Sequence, residues 1–165
     1  MPTYERRTTV DAPLEEVWQF HSRISGLEAL TPDWMGLRVE RVIGPDGEPD
    51  PDVLEPDSEI ALSMRPFGVG PRQHWTSLIT ARERVDGSAF FRDEMAHGPF
   101  DRWEHTHSFY ADGDRTIVHD RVDYTLPRGG LEGVVGLGNG ITAVSQLGFE
   151  TMFRTRHRMT KVRLE

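Results

Sequence analysis

At 165 residues the chain has the length of one domain with a core that needs no cross-links, and its lack of cysteine removes disulfides, thiolate metal sites and cysteine nucleophiles. A formal net charge of -8 at pH 7 argues against a nucleic-acid partner, which demands a basic face. No apolar run reaches bilayer length and the opening MPTYERRTTV is unlike a secretory leader, so a cytoplasmic protein without membrane insertion is expected.

The alternation of Tyr4 to Val10 predicts a first strand. Asp11, Pro13 and the pair Glu15-Glu16 then open a helix, with carboxylates at the positive end of its dipole. Ser25-Gly26 is expected to break it, leaving a second short helix over Leu27 to Leu30 that ends before Thr31-Pro32. Leu37 to Ile43 reads as a strand running into the exposed acidic loop GPDGEPDPDVLEPD.

From residue 59 the period becomes two. Glu59 to Met64, Gln73 to Arg84, Ser88 to Met95, Trp103 to Asp112 and Arg115 to Leu126 are predicted strands, with hairpin signals at Asp86-Gly87 and Asp112-Gly113. Ile141 to Val162 is long enough for about six helical turns. Its arginines and Lys161 are assigned to solvent and to the negative end of the dipole. The segment GLGNG before it lacks the spacing of a dinucleotide loop. The order of strand, two helices, six strands and long helix gives an α+β class in which six to seven antiparallel strands wrap the C-terminal helix, as one domain over residues 1–165.

Several segments carry a family likeness: the opening VDAPLEEVWQFHS, then RPFGVGPRQHW, FRDEMAHGPFDRWEHTHSF and HDRVDYTLPRGGLEG. Together they resemble the SRPBCC superfamily, the START/Bet v1-like helix-grip proteins, and within it the polyketide cyclase/dehydrase-like branch. The resemblance implies a cavity between sheet and last helix that takes lipids, isoprenoids or polyketides, but no single activity.

Alternation says which side chains share a face. Phe91, Asp93 and Met95 form one row, Trp103, His105, His107 and Phe109 the next, and Val118, Asp120, Val122 and Tyr124 a third. The apolar face turns inward and brings Asp93, His105, His107 and Asp120 with it. With the implied cavity, the ligand-binding wall is expected to draw on Trp75, on these three rows from Phe91 to Tyr124 except Val118, and on Ile141 and Val144 of the helix. Leu131, Val134, Val135 and Leu137 are candidates for a lid over its mouth.

The polar four admit three roles: a structural ladder, anchors for a ligand's polar groups, or a carboxylate-oriented histidine base. The candidates for catalysis are His105, His107 and Asp120. His119 should face outward and His97 should sit at a turn, so no metal is expected, and no cofactor either. The partner expected is a small hydrophobic ligand held without reaction. The alternatives are a cyclase or dehydratase with a His–Asp pair in its pocket, or an interaction module with a filled core. Nothing in the pattern sets an oligomeric state.

Overall fold

The computed structural model describes residues 1–126 and 138–165, the backbone alone for 138–147. The expectations for Ile141, Val144 and the lid residues Leu131, Val134, Val135 and Leu137 fall outside the described side chains.

Strand β1, Thr3–Val10, leads into helices α1, Leu14–His21, and α2, Ile24–Leu30. Six strands follow: β2 Arg38–Ile43, β3 Glu59–Met64, β4 Gln73–Val85, β5 Ser88–His97, β6 Arg102–Asp112 and β7 Arg115–Thr125. Helix α3, Gly138–Leu164, closes the order. All seven strands join in one antiparallel sheet of order β1-β7-β6-β5-β4-β3-β2, which curves around α3. This is the helix-grip arrangement that the resemblance implies.

Local chemistry explains most boundaries. The β6–β7 hairpin turns at Gly113, whose φ of 61° suits a residue without Cβ. Two expectations need correction. Helix α1 ends at Ser22-Arg23, and Ser25-Gly26 lies inside α2 instead of breaking the chain. Gly26 packs against the Phe20 carbonyl, where any Cβ would collide, so its smallness serves the close approach of the two helices. His97 closes β5 rather than occupying a turn: a one-residue bulge at Ala96 lets the strand continue, and His97 pairs with Thr76 of β4.

Three apolar clusters make the core. Val10, Val17, Trp18, Phe109 and Val118 lie under α1. Tyr4, Val122, Tyr124, Phe149 and Phe153 lie under α3. Val42, Leu54, Ile60, Leu62 and Ile79 fill the end near α2. Each large side chain taken fully out of water contributes roughly 1.5–3 kcal/mol, so these clusters set where α1 and α3 sit.

Helix α3 is also tied down by polar contacts. Glu150 accepts from Tyr4 Oη at 2.6 Å and pairs with Arg6 on β1. Glu165 accepts from the Asp11 backbone N–H at 3.0 Å. Among the described residues no helix is long and apolar enough to cross a membrane.

Candidate functional site

The expected rows form as alternation requires. Across the ladder Asp93 faces His105 and His105 faces Val122, while Phe91 faces His107 and His107 faces Asp120. Diagonal neighbours on such a face are close enough for long side chains to meet. His105 Nε2–H accordingly donates to Asp120 Oδ1 at 2.6 Å, and its Nδ1 lies 3.2 Å from Asp93 Oδ1. Ser77 Oγ–H on β4 donates to Asp93 Oδ2 at 3.1 Å. A line of contacts thus crosses three strands and reaches a fourth.

The line continues into the helix. His157 Nε2–H donates to Asp120 Oδ2 at 2.5 Å, so the carboxylate is gripped from both sides. His157 lies four residues after Phe153 and eight after Phe149, on the buried side of α3. Thr160 and His21 extend the polar seam. Thr160 Oγ1 lies 3.4 Å from His21 Nε2, and His21 Nδ1–H donates to the Val17 carbonyl at 2.8 Å. The expected site lacked His21, His157 and Thr160. Their signal was present in the i, i+4 spacing Val17–His21 and Phe149–Phe153–His157.

Burial grades along this line. The side chain of Asp120 is 1% exposed, His107 2%, His105 8% and Asp93 17%. Asp93 therefore stands at the more exposed end of the seam, on the face that alternation also gives to the half-buried Trp75, Met95 and Trp103. Phe91 is also half-buried, but it packs on Trp18 and His107. Phe109, Val122 and Tyr124 are fully buried core. Tyr124 meets the Phe149 ring edge-on at 4.9 Å. His119 sits on the opposite face of β7, 3.9 Å from Glu5.

The protonation states follow from this packing. Burial opposes charge on His105, but hydrogen bonds to Asp120 and Asp93 outweigh it and raise its pKa to about 9. It is an imidazolium at neutral pH. Burial also opposes charge on Asp120, yet the hydrogen bonds from His105 and His157 hold its carboxyl well below the usual range. His107 is pushed well down by burial and is neutral. Burial lowers His21 to about 4. The centre is thus one carboxylate and one imidazolium, with the neutral rings of His107 and His21 beside them.

His107 is distinctive in this set. Its ring stacks on Phe109 at 4.9 Å and touches His21, Phe91 and His105. Among the described residues neither of its ring nitrogens has a hydrogen-bond partner, although Nδ1 lies 3.2 Å from Asp120 Oδ1. A buried polar atom left so costs about 1–3 kcal/mol.

Residues 10–147 match the family described as polyketide cyclase / dehydrase and lipid transport. Among solved structures, the protein TTHA0849 of Thermus thermophilus is 19% identical with a TM-score of 0.65, over 99% of this chain and 100% of that one. The protein Ms6760 of Mycobacterium smegmatis is 16% identical with a TM-score of 0.64, over 98% and 90% of the two chains. Norcoclaurine synthase of Thalictrum flavum, solved in complex with dopamine and hydroxybenzaldehyde, is 13% identical with a TM-score of 0.56, over 92% and 86%. At these identities the likeness is one of fold. No curated protein sequence matches the chain.

Proposed function

We propose that this chain, which belongs to the polyketide cyclase/dehydrase and lipid transport family, binds a small and largely apolar molecule on the concave face of its sheet and holds that molecule's polar end at Asp93. One observation carries the proposal. The buried Asp120–His105 pair reaches the concave face through the partly exposed carboxylate of Asp93, and alternation puts the half-buried Trp75, Met95 and Trp103 on that same face. An apolar wall with one fixed polar group is the usual composition of a small-molecule site. Asp93 is held by Ser77 and His105, so a ligand hydroxyl or amine meets an oriented acceptor rather than a mobile one. A lipid, isoprenoid or polyketide-like molecule carrying such a group fits this chemistry, and carriage without reaction is the role we assign.

Native mass spectrometry of freshly purified protein, compared with the same sample denatured, tests this directly. An adduct that is released on denaturation and is apolar with a hydroxyl or amine is the expected result. A protein that carries nothing, and whose tryptophan fluorescence no long-chain alcohol or amine perturbs, would sink it.

A second reading has its own observation. Asp93 touches a protonated His105, so the pair can supply a proton to a departing hydroxyl, as a cyclase or dehydratase requires. The two differ in what is recovered: a carrier returns the molecule supplied, an enzyme returns it short of water.

A further inference from the structure

We propose that His105, His107 and Asp120 form a binding site for one divalent transition-metal ion, with His105 Nε2, His107 Nδ1 and Asp120 Oδ1 as ligands. This departs from the sequence expectation of no metal, and it stands whether or not the apolar ligand is bound.

One ligand atom from each of His105, His107 and Asp120 lies within 4.8 Å of the other two. Bonds of about 2.0–2.1 Å to a tetrahedral ion place ligand atoms about 3.3 Å apart. The separation of His107 Nδ1 from Asp120 Oδ1, 3.2 Å, already meets that value. His105 Nε2, at 2.6 Å from the same oxygen, would have to retreat by roughly 0.7 Å, the difference between a hydrogen bond and two metal bonds.

An independent observation comes from His107. It is buried and has no hydrogen-bond partner among the described residues, yet Nδ1 lies 3.2 Å from the shared carboxylate oxygen. Hydrogen bonding leaves this ring unused, and a metal ion between Nδ1 and Oδ1 would use it. The surroundings are those of an outer coordination layer. Metal-bound histidines pass their second ring N–H to a carboxylate, and ligating carboxylates are themselves hydrogen-bonded. His105 Nδ1 faces Asp93, which Ser77 holds, and the spare oxygen of Asp120 is held by His157. All three ligands stand on adjacent strands β6 and β7, which fix their spacing.

Two imidazoles and a carboxylate select ions of the Zn2+, Co2+ or Fe2+ kind rather than Mg2+ or Ca2+, which prefer oxygen. On binding, the Nε2 proton of His105 leaves to solvent and the ion takes its place. Asp120 and Asp93, which the Arg156 guanidinium also faces, offset the ion's two positive charges. Three protein ligands leave a coordination position for water or a small molecule.

The test is a Co2+ titration of the full-length protein after treatment with chelator and dialysis, followed by visible absorption and, with Zn2+, by calorimetry. Wild type should take up one ion per chain with absorption bands of nitrogen and oxygen ligation. His107→Phe, which keeps an aromatic ring on Phe109, should weaken uptake at least about 100-fold, and Asp93→Asn about tenfold. The Asp93→Asn variant, at the partly exposed end of the seam, decides the matter if His107→Phe does not fold. No saturable uptake by wild type, or uptake that both folded variants share unchanged, would overturn the proposal.

Discussion

Asp120 stands directly across the β6–β7 ladder from His107, yet it is His105, one diagonal step away, that donates to it at 2.6 Å. The carboxylate thus serves two strands and, through His157, the helix as well. It is the fully buried charged acceptor of the seam that joins α3 to the sheet. Asp120→Asn keeps the shape and removes the charge, leaving an imidazolium at His105 with half its partners. Loss of one partner from a buried charged set costs about 3–5 kcal/mol. Urea unfolding should show a lower midpoint with an unchanged slope, and an unchanged midpoint would show that Asp120 is not ionised in the fold.

Phe153 contributes to the same joint by packing alone. Its ring stacks on Tyr4 at 5.4 Å and meets His105 at 5.2 Å, with 1% of its surface exposed. Phe153→Ala should destabilise by about 3–5 kcal/mol. Hydrogen exchange would localise the damage, with protection falling in the C-terminal half of α3 and in β1 while the β4–β5 hairpin holds.

Acid should loosen the seam through His21. Its folded pKa of about 4 lies below the ordinary 6.5 because burial disfavours the charged ring, while Arg156 and His157 add to the repulsion and Asp120 opposes it. The unfolded chain therefore binds the proton more readily. The neutral ring's contribution is complete above pH 6.5 and is lost as pH falls toward 4, on the order of 3 kcal/mol by then. His21→Gln should flatten that acid limb in a series of urea melts from pH 7 to pH 4, and a limb identical to wild type would assign the loss to other groups.

The ligand face makes a different demand. Asp93→Ala should weaken binding of a long-chain alcohol or amine about tenfold, the worth of about 1.4 kcal/mol from a charge-assisted hydrogen bond. Binding of the matching hydrocarbon should be untouched. Tryptophan fluorescence reports both, since Trp75 and Trp103 are half-buried on this face. Equal losses for both molecules would mean that Asp93 shapes the face rather than anchors the ligand.

The sheet half of the site was legible because strand periodicity is strict: knowing that the apolar face turns inward places Asp93, His105, His107 and Asp120 together with no further information. The helix half was not. His157 sits among Arg154, Arg156 and Arg158, and such a run reads as a solvated basic turn unless its spacing from Phe149 and Phe153 is weighed first. Its partner Asp120 is 37 positions away, a distance over which no local rule operates. The fold was readable from turns and alternation, but the misplaced break at Gly26 shows the limit. A glycine that permits close packing and one that ends a helix look alike in sequence.

The ties between β1 and α3 bear on the order in which the molecule assembles. Tyr4 meets Glu150 across 146 positions and Asp11 meets Glu165 across 154, while β1 pairs along its length with β7. On the ribosome, residues 3–10 would emerge well before both of their neighbours and wait until β7 and α3 had been made. Strands β2 to β7 can zip as successive local pairs in the meantime. Contacts of such long range are slow to form, so docking of the first strand and the last helix should be the late and rate-limiting event. Until then the histidine seam lies open to solvent, and its unusual protonation states arise only as that final closure removes water.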